Sequence, residues 1–158
     1  MTTRAQVVAD EHGRVFGFRH HDGHLDAVVF DRSRRRVQLE LCDVEGGRVV
    51  VHCDGVAWSW VSGLALVNVV ATLWLFERPR LLADATLRQR LLADCGAEAL
   101  AAVDRAVGQE LLFVVECATG AAATILARQV AFEPGRLQPG SVAPGGDGTR
   151  AADAERSP

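Results

Sequence analysis

Val56-Ala-Trp-Ser-Trp-Val-Ser-Gly-Leu-Ala-Leu-Val-Asn-Val-Val-Ala-Thr-Leu-Trp-Leu-Phe76 runs for 21 residues without a charge. Asp54 precedes it, Glu77, Arg78 and Arg80 follow it, and Trp58, Trp60 and Trp74 lie near its ends. That length and aromatic placement match a single membrane-spanning helix of about 20 residues. The competing reading is two buried strands, 56–61 and 66–76, joined by a turn at Ser62-Gly63. Three features favour strands: enrichment in β-branched and aromatic residues, the Ser-Gly break, and the polar residues Ser59, Ser62, Asn68 and Thr72 spread through the run. The neighbouring segments also need sheet partners, so the strand reading leads. A single-span membrane protein through 56–76 is the alternative.

Upstream, the sequence reads as hairpins. Asp22-Gly23 is a two-residue turn signal, because both central positions of a type I′ turn need positive φ. Centred there, a hairpin pairs Phe18 with Ala27 and Phe16 with Val29. One face then carries Phe16, Phe18, Leu25, Ala27 and Val29. A second hairpin joins 37–41 to 49–53 around Glu45-Gly46-Gly47, pairing Leu41 with Val51 and Leu39 with Cys53. Its core face is Val37, Leu39, Leu41, Val49, Val51 and Cys53, which sends Cys42 and Cys53 to opposite faces and predicts no disulfide between them. The basic run Arg32-Ser-Arg-Arg-Arg36 joins the two hairpins.

Downstream of Pro79 the period changes from two to that of a helix. Asp84 is placed to cap a helix bearing Leu87, Leu91 and Leu92 and ending near Gly96. A second helix over 97–107 aligns Leu100, Val103 and Val107, with Gly108 as its stop. Residues 111–117 and 121–132 then form a last hairpin around Ala118-Thr119-Gly120. The order is six strands, two helices, two strands: an α+β fold with an antiparallel sheet built from hairpins and two helices inserted before the last one. Residues 134–158 hold four of the five prolines and five of the fifteen glycines, with almost no large apolar side chains. Such a segment cannot offset its ordering entropy by burial, and it reads as a disordered tail. The globular domain is then 12–133.

Composition bounds the function. The chain has 158 residues, 49% of them hydrophobic and 23% charged, with a net charge of −3. This excludes a histone-like nucleic-acid binder, a polyacidic tail and a disulfide miniprotein. All 17 basic residues are Arg. The N-terminus lacks the uninterrupted apolar run of a signal peptide, because Asp10, Glu11 and His12 cut it short, so the expected location is the cytoplasm. Four scattered cysteines without a CxxC pair read there as free thiols.

His21-Asp22-Gly23-His24-Leu25, the 37–41 strand, the Gly46-Gly47 turn, Gly55-Val56 and Asn68-Val69-Val70 together resemble a loose class of small bacterial proteins. Some of these look like immunity proteins of toxin systems. The likeness covers about 15–77 and extends to 110–132. It implies strands rather than a membrane span, and it supplies no catalytic residues. This chain departs from the class by being more apolar over 58–66.

Candidate chemistry is sparse. His21 and His24 flank the turn, with His20 and Asp26 near, and two imidazoles across a hairpin could share a metal ion; two ligands at an exposed tip do not make a closed site. His52-Cys53 is no dyad, since adjacent strand residues point to opposite faces, and His52 is expected to face Glu40. No GxSxG, P-loop, HExxH or dinucleotide fingerprint is present, so no catalytic residue and no cofactor is expected. The arginines of 32–36 lack the interleaved aromatics and basic balance of a nucleic-acid site. Trp58 and Trp60 share one strand face, either as core or as an exposed aromatic patch of the kind that anchors interfaces; Trp74 is expected in the core. The sequence thus points to a non-catalytic interaction module that binds another protein through Trp58 and Trp60, immunity-like or accessory in role. A metal-binding protein using His21 and His24 is the second alternative.

Overall fold

A computed structural model describes residues 4–17 and 19–134. The expected tail therefore lies outside the described residues but for Pro134. The elements in chain order are β1 (Ala5–Gln6), β2 (Val8–Ala9), β3 (Val15–Phe16), β4 (His24–Asp31), β5 (Arg36–Cys42), β6 (Arg48–Asp54), β7 (Trp58–Ser62) and β8 (Val69–Glu77). Next come α1 (Arg78–Ala83), α2 (Ala85–Cys95) and α3 (Ala97–Arg105), then β9 (Leu111–Thr119), β10 (Ala122–Ala127) and β11 (Gln129–Pro134). The α+β class with a large antiparallel sheet is as expected. The sheet takes in β1, ahead of the expected domain start at residue 12, and a third helix, α1, begins at Arg78 with Pro79 in its first turn, where the fixed φ of proline is tolerated.

Nine strands form one sheet in the order β1-β11-β6-β5-β4-β8-β9-β10-β7, and β2 and β3 form a separate ribbon. Only Arg128 separates β10 from β11, so one bent strand runs through both halves of the sheet. Likewise β6 leads through 55–57 into β7, which pairs with β10 as β6 pairs with β11. These two shared strands roll the sheet into a barrel. Its seam lies between β4 and β8, where His24 pairs with Val69 and Leu25 N donates to Asn68 O at 2.9 Å.

The period-two pattern fills the barrel: Val37, Leu39 and Leu41 of β5, Val49, Val51 and Cys53 of β6, Phe113 and Val115 of β9, and Ala123, Ile125 and Ala127 of β10 are all buried in one cluster. A second cluster lies outside the barrel, where α1–α3 cover β8, β9 and β10. It contains Phe76, Leu81, Leu91, Ala99, Val103, Leu112 and Leu126. The helices start and stop where local chemistry requires. The Asp84 carboxylate accepts from Thr86 N and Leu87 N, and Gly96 at φ 83° ends α2. Val107 is exposed rather than aligned with Val103, because α3 stops at Arg105.

Two strand pairings differ from expectation. Asp22 does adopt positive φ (61°), yet no hairpin forms around it. Phe16 pairs with Val8, and β4 pairs with β5 across the arginine run, which is therefore a hairpin turn rather than a link between hairpins. Phe18 lies outside the described residues. The register of β4 shifts between Leu25 and Ala27, so that Leu25 and Val28 face the barrel while Phe16 and Val29 are exposed. One extra residue reverses the parity of everything after it. In the second hairpin Leu41 pairs with Val49 and Leu39 with Val51. The Asp43 carboxylate accepts from Glu45 N and Gly47 N, which closes the turn one residue earlier than expected. Because the slip is an even number of residues, the expected core face survives intact, with Cys42 outside and Cys53 inside.

Candidate functional site: the edge strand and its apolar loop

The uncharged run is split among three roles. β8 is central in the sheet, between β4 and β9, while β7 is an edge strand that, among the described residues, pairs only with β10. The two runs are therefore not hairpin neighbours, and the turn after Ser62 is a longer excursion over 63–68. Among the described residues no helix is long and apolar enough to cross a membrane.

Trp58 and Trp60 stand opposite Leu126 and Thr124, on the helix side of β10. Trp58 packs against the helix-side core. Trp60, half-buried, lines a cleft of about 430 Å³ with Ala71, Val114, Cys117 and Thr124. Arg90 and Asp94 of α2 and Glu116 of β9 form its polar rim, with Arg90 ion-paired to Glu116 and 3.6 Å from Asp94. Trp74 is committed to the fold. Its Nε1 donates to Glu116 at 2.8 Å, its ring stacks on Phe76 with centroids 6.0 Å apart, and the Arg14 guanidinium lies 5.9 Å from its centroid.

The outer edge of β7 reads Trp-Ser-Trp-Val-Ser. Sheet edges are commonly blunted by charge, proline or a covering element; β7 carries neither charge nor proline, and no strand covers it among the described residues. Beyond it Gly63 turns at φ 66°, and Leu64, Leu66 and Val67 are exposed, Leu66 completely. This loop is held from beneath by Asn68, which is 5% exposed. Its Oδ1 accepts from Ala65 N at 2.9 Å and Ala121 N at 3.0 Å, and its Nδ2 donates to Ala65 O at 2.9 Å and Leu25 O at 3.1 Å. One amide thus ties the loop to β4 and to the β9–β10 turn. Gly120 makes room for it: a Cβ at that position would lie 2.4 Å from Asn68 Oδ1. The result is a surface of three apolar side chains on a pinned backbone, continuous in sequence with an open strand edge.

The other sequence candidates sit elsewhere. His21 and His24 are exposed, and His21 Nδ1 lies 3.1 Å from Asp22. His24 pairs with Cys42 and Val69 rather than opposite His21. Among the described residues no three His, Cys, Asp or Glu side chains converge as a metal site. His52 faces Gln38, not Glu40, following the hairpin slip. The Gln38 amide donates to its Nδ1 at 3.0 Å, and its Nε2 is 2.8 Å from Glu133, which also pairs with Arg4. Burial, reinforced by the Arg4 charge and opposed by Glu133, holds the His52 pKa below its ordinary value. Burial likewise raises the thiols of Cys42, Cys53, Cys95 and Cys117, which disfavours thiolate nucleophiles.

In comparison with known proteins, the chain matches no protein family, no curated relative and no solved structure. The sequence reading located the tryptophans but missed Leu64, Leu66, Val67 and Asn68. A signal for them was present: a lone Asn inside an apolar run, five residues after a Gly, marks a turn with a side chain able to bond its own backbone.

Proposed function

We propose that this chain is a non-catalytic protein-interaction module, immunity-like or accessory in role, that binds a partner protein along 58–67. One observation carries the reading: the uncharged segment that fills the sheet edge continues directly into the exposed loop of Leu64, Leu66 and Val67. A free edge accepts an extended segment of another chain through main-chain hydrogen bonds, and alternate side-chain pockets select it. Here the cleft beside Trp60 would take one apolar side chain, and the pinned loop would add contact area without the entropy of ordering a flexible one. Contiguous exposed apolar surface of this kind marks interaction sites in folded proteins.

The test is native mass spectrometry of tagged protein purified from its own host without detergent, run beside Trp60→Ala and Leu66→Asp variants. A discrete second protein, present with the parent chain and lost from both variants while their urea midpoints stay near the parent's, supports the reading. Retention of that protein by both folded variants, or the chain alone in every preparation, overturns it.

A further inference from the structure

The barrel is open at one end. There Phe30, Val37, Val56 and Ser59 border a cleft of about 420 Å³, with Asp31, Arg32, Arg35 and Arg36 at its rim. The apolar floor follows from register. Phe30 pairs with Val37, and Ser59 with Ile125, whose partners are buried barrel residues, so all four point to the barrel side of the sheet. The gap exists because β7 runs past the end of β5: the β5–β6 pairing stops at Arg36 and Asp54, and the turn over 32–35 lies where a longer β5 would continue. Phe30, 52% exposed, is left uncovered at this mouth.

We propose that this mouth binds a small free anion with an apolar body, such as an alkyl or aryl carboxylate or phosphate monoester. The charges at the rim do not cancel. Arg36 is spent on Asp54, and Asp31 is engaged by Arg34 and by the hydroxyl of Ser33. Arg35 bonds a neutral group, its Nε donating to Val56 O at 3.1 Å, while Val56 N donates to Arg35 O at 2.8 Å. That reciprocal pair fixes the guanidinium at the rim and leaves its charge uncompensated. Arg32 is exposed and has no side-chain partner among the described residues. Two guanidiniums with no carboxylate partner among the described residues, above a floor of Phe30, Val37 and Val56, thus make a concave apolar site with a few convergent polar groups, within the size range of small-ligand pockets. Guanidinium donors favour carboxylate or phosphate over a neutral head, and the aromatic floor favours a ligand with a hydrocarbon part. This site lies on the barrel side of the sheet, away from the helix-side cleft of Trp60, and shares Ser59 of β7 with the proposed partner surface, while its rim arginines and Phe30 lie outside that surface.

The experiment is a titration of the ¹⁵N-labelled full chain with monomeric sodium dodecanoate, followed by amide chemical shifts. Saturable shifts centred on Arg35, Val37 and Ser59 are expected. Arg32→Glu should weaken the apparent Kd by about tenfold, as expected for reversing one rim charge, and Phe30→Ser by a similar factor. Arg32→Gln, which removes the charge without adding another, gives an intermediate loss. Dodecyltrimethylammonium, with the same chain and the opposite charge, should bind at least about tenfold more weakly. Equal affinity for the cationic amphiphile, shifts confined to 64–67, or the absence of saturable binding each overturns the proposal.

Discussion

Replacing Asn68 by Ala removes four hydrogen bonds at once and tests whether the apolar loop is a built surface. Two of the bonded groups, Ala65 N and Ala65 O, belong to an exposed residue and regain water when the amide is lost. The other two do not. Ala121 is 1% exposed and Leu25 is 1% exposed, so Ala121 N and Leu25 O lose a partner inside the protein. A stranded buried donor or acceptor costs about 1–3 kcal/mol, and an ordinary bond to a water-accessible partner contributes about 1 kcal/mol or less. Asn68→Ala should therefore destabilise the domain by about 2–6 kcal/mol from the two stranded groups alone, a large share of the roughly 5–15 kcal/mol that domains of this kind possess. Urea unfolding followed by tryptophan fluorescence and by circular dichroism measures it. The midpoint should fall with the slope unchanged, because the same surface is exposed on unfolding. Gly120→Ala supplies the companion variant. Its Cβ would meet Asn68 Oδ1 at 2.4 Å and Val67 O at 2.8 Å, on a backbone at φ +88°. Part of its cost should disappear in the Asn68→Ala background, which a double-mutant cycle reads as a favourable coupling. A loss below about 1 kcal/mol for Asn68→Ala, or strict additivity with Gly120→Ala, would refute the role assigned to this amide.

Further outcomes follow from other parts of the structure. Asp84→Ala should cost about 1 kcal/mol in the same urea assay, because Thr86 N and Leu87 N lose their cap; no change would mean that α2 starts elsewhere. Burial depresses His52 below its ordinary 6.5, so the unfolded chain binds that proton first. Stability is then complete above about pH 6.5 and falls as pH drops through it towards the folded pKa, and a His52→Gln variant should lose that slope while retaining one at lower pH from depressed carboxylates such as Glu133. Equal slopes for parent and variant between pH 7.5 and 5.5 would count against a neutral buried imidazole. Trp60→Ala should lower stability by about 1–2 kcal/mol only, as its ring is half-buried in a cleft rather than closed in the core; a loss near 4 kcal/mol would make it a core residue.

The division between what the sequence discloses and what it hides is a division between local and non-local chemistry. Asp84, Gly96 and the alternation of Val37, Leu39 and Leu41 act within a few residues, and each was readable to within a residue or two. The strand register was less accessible. A turn signal at Asp22-Gly23 is real at the level of φ, yet the strand before it lacks the length to pair, and β4 finds β5 and β8 instead. The slip between Leu25 and Ala27 has no marker in side-chain type, so Val28 rather than Ala27 faces the barrel. Barrel closure is hidden for the same reason: it depends on Arg128 interrupting one strand so that its halves serve β9 and β6. Tertiary pairing, not propensity, selects among such alternatives.

The uncharged run over 56–76 shows why hydropathy alone misleads about function. A membrane helix would hide all of it in lipid, and a two-strand core would hide all of it in protein. The fold does neither. Val70, Leu73 and Phe76 are buried, Trp58 and Trp60 lie half-covered at the edge, and Leu64, Leu66 and Val67 face solvent. Exposing these side chains forgoes hydrophobic stabilisation of about 1.5–3 kcal/mol at Leu66, which is fully exposed, and about half as much at Leu64 and at Val67, which are half-covered. Collapse of the loop onto the protein would recover part of it, and Asn68 and Gly120 hold the loop out instead. A buried amide with four satisfied bonds beneath a surface that would be more stable covered is the arrangement expected of a contact surface kept in shape for another molecule. The Asn68→Ala measurement and the partner-loss measurement with Leu66→Asp therefore test one proposal from two sides: the first reads what holds the surface in place, and the second reads whether the surface holds a partner.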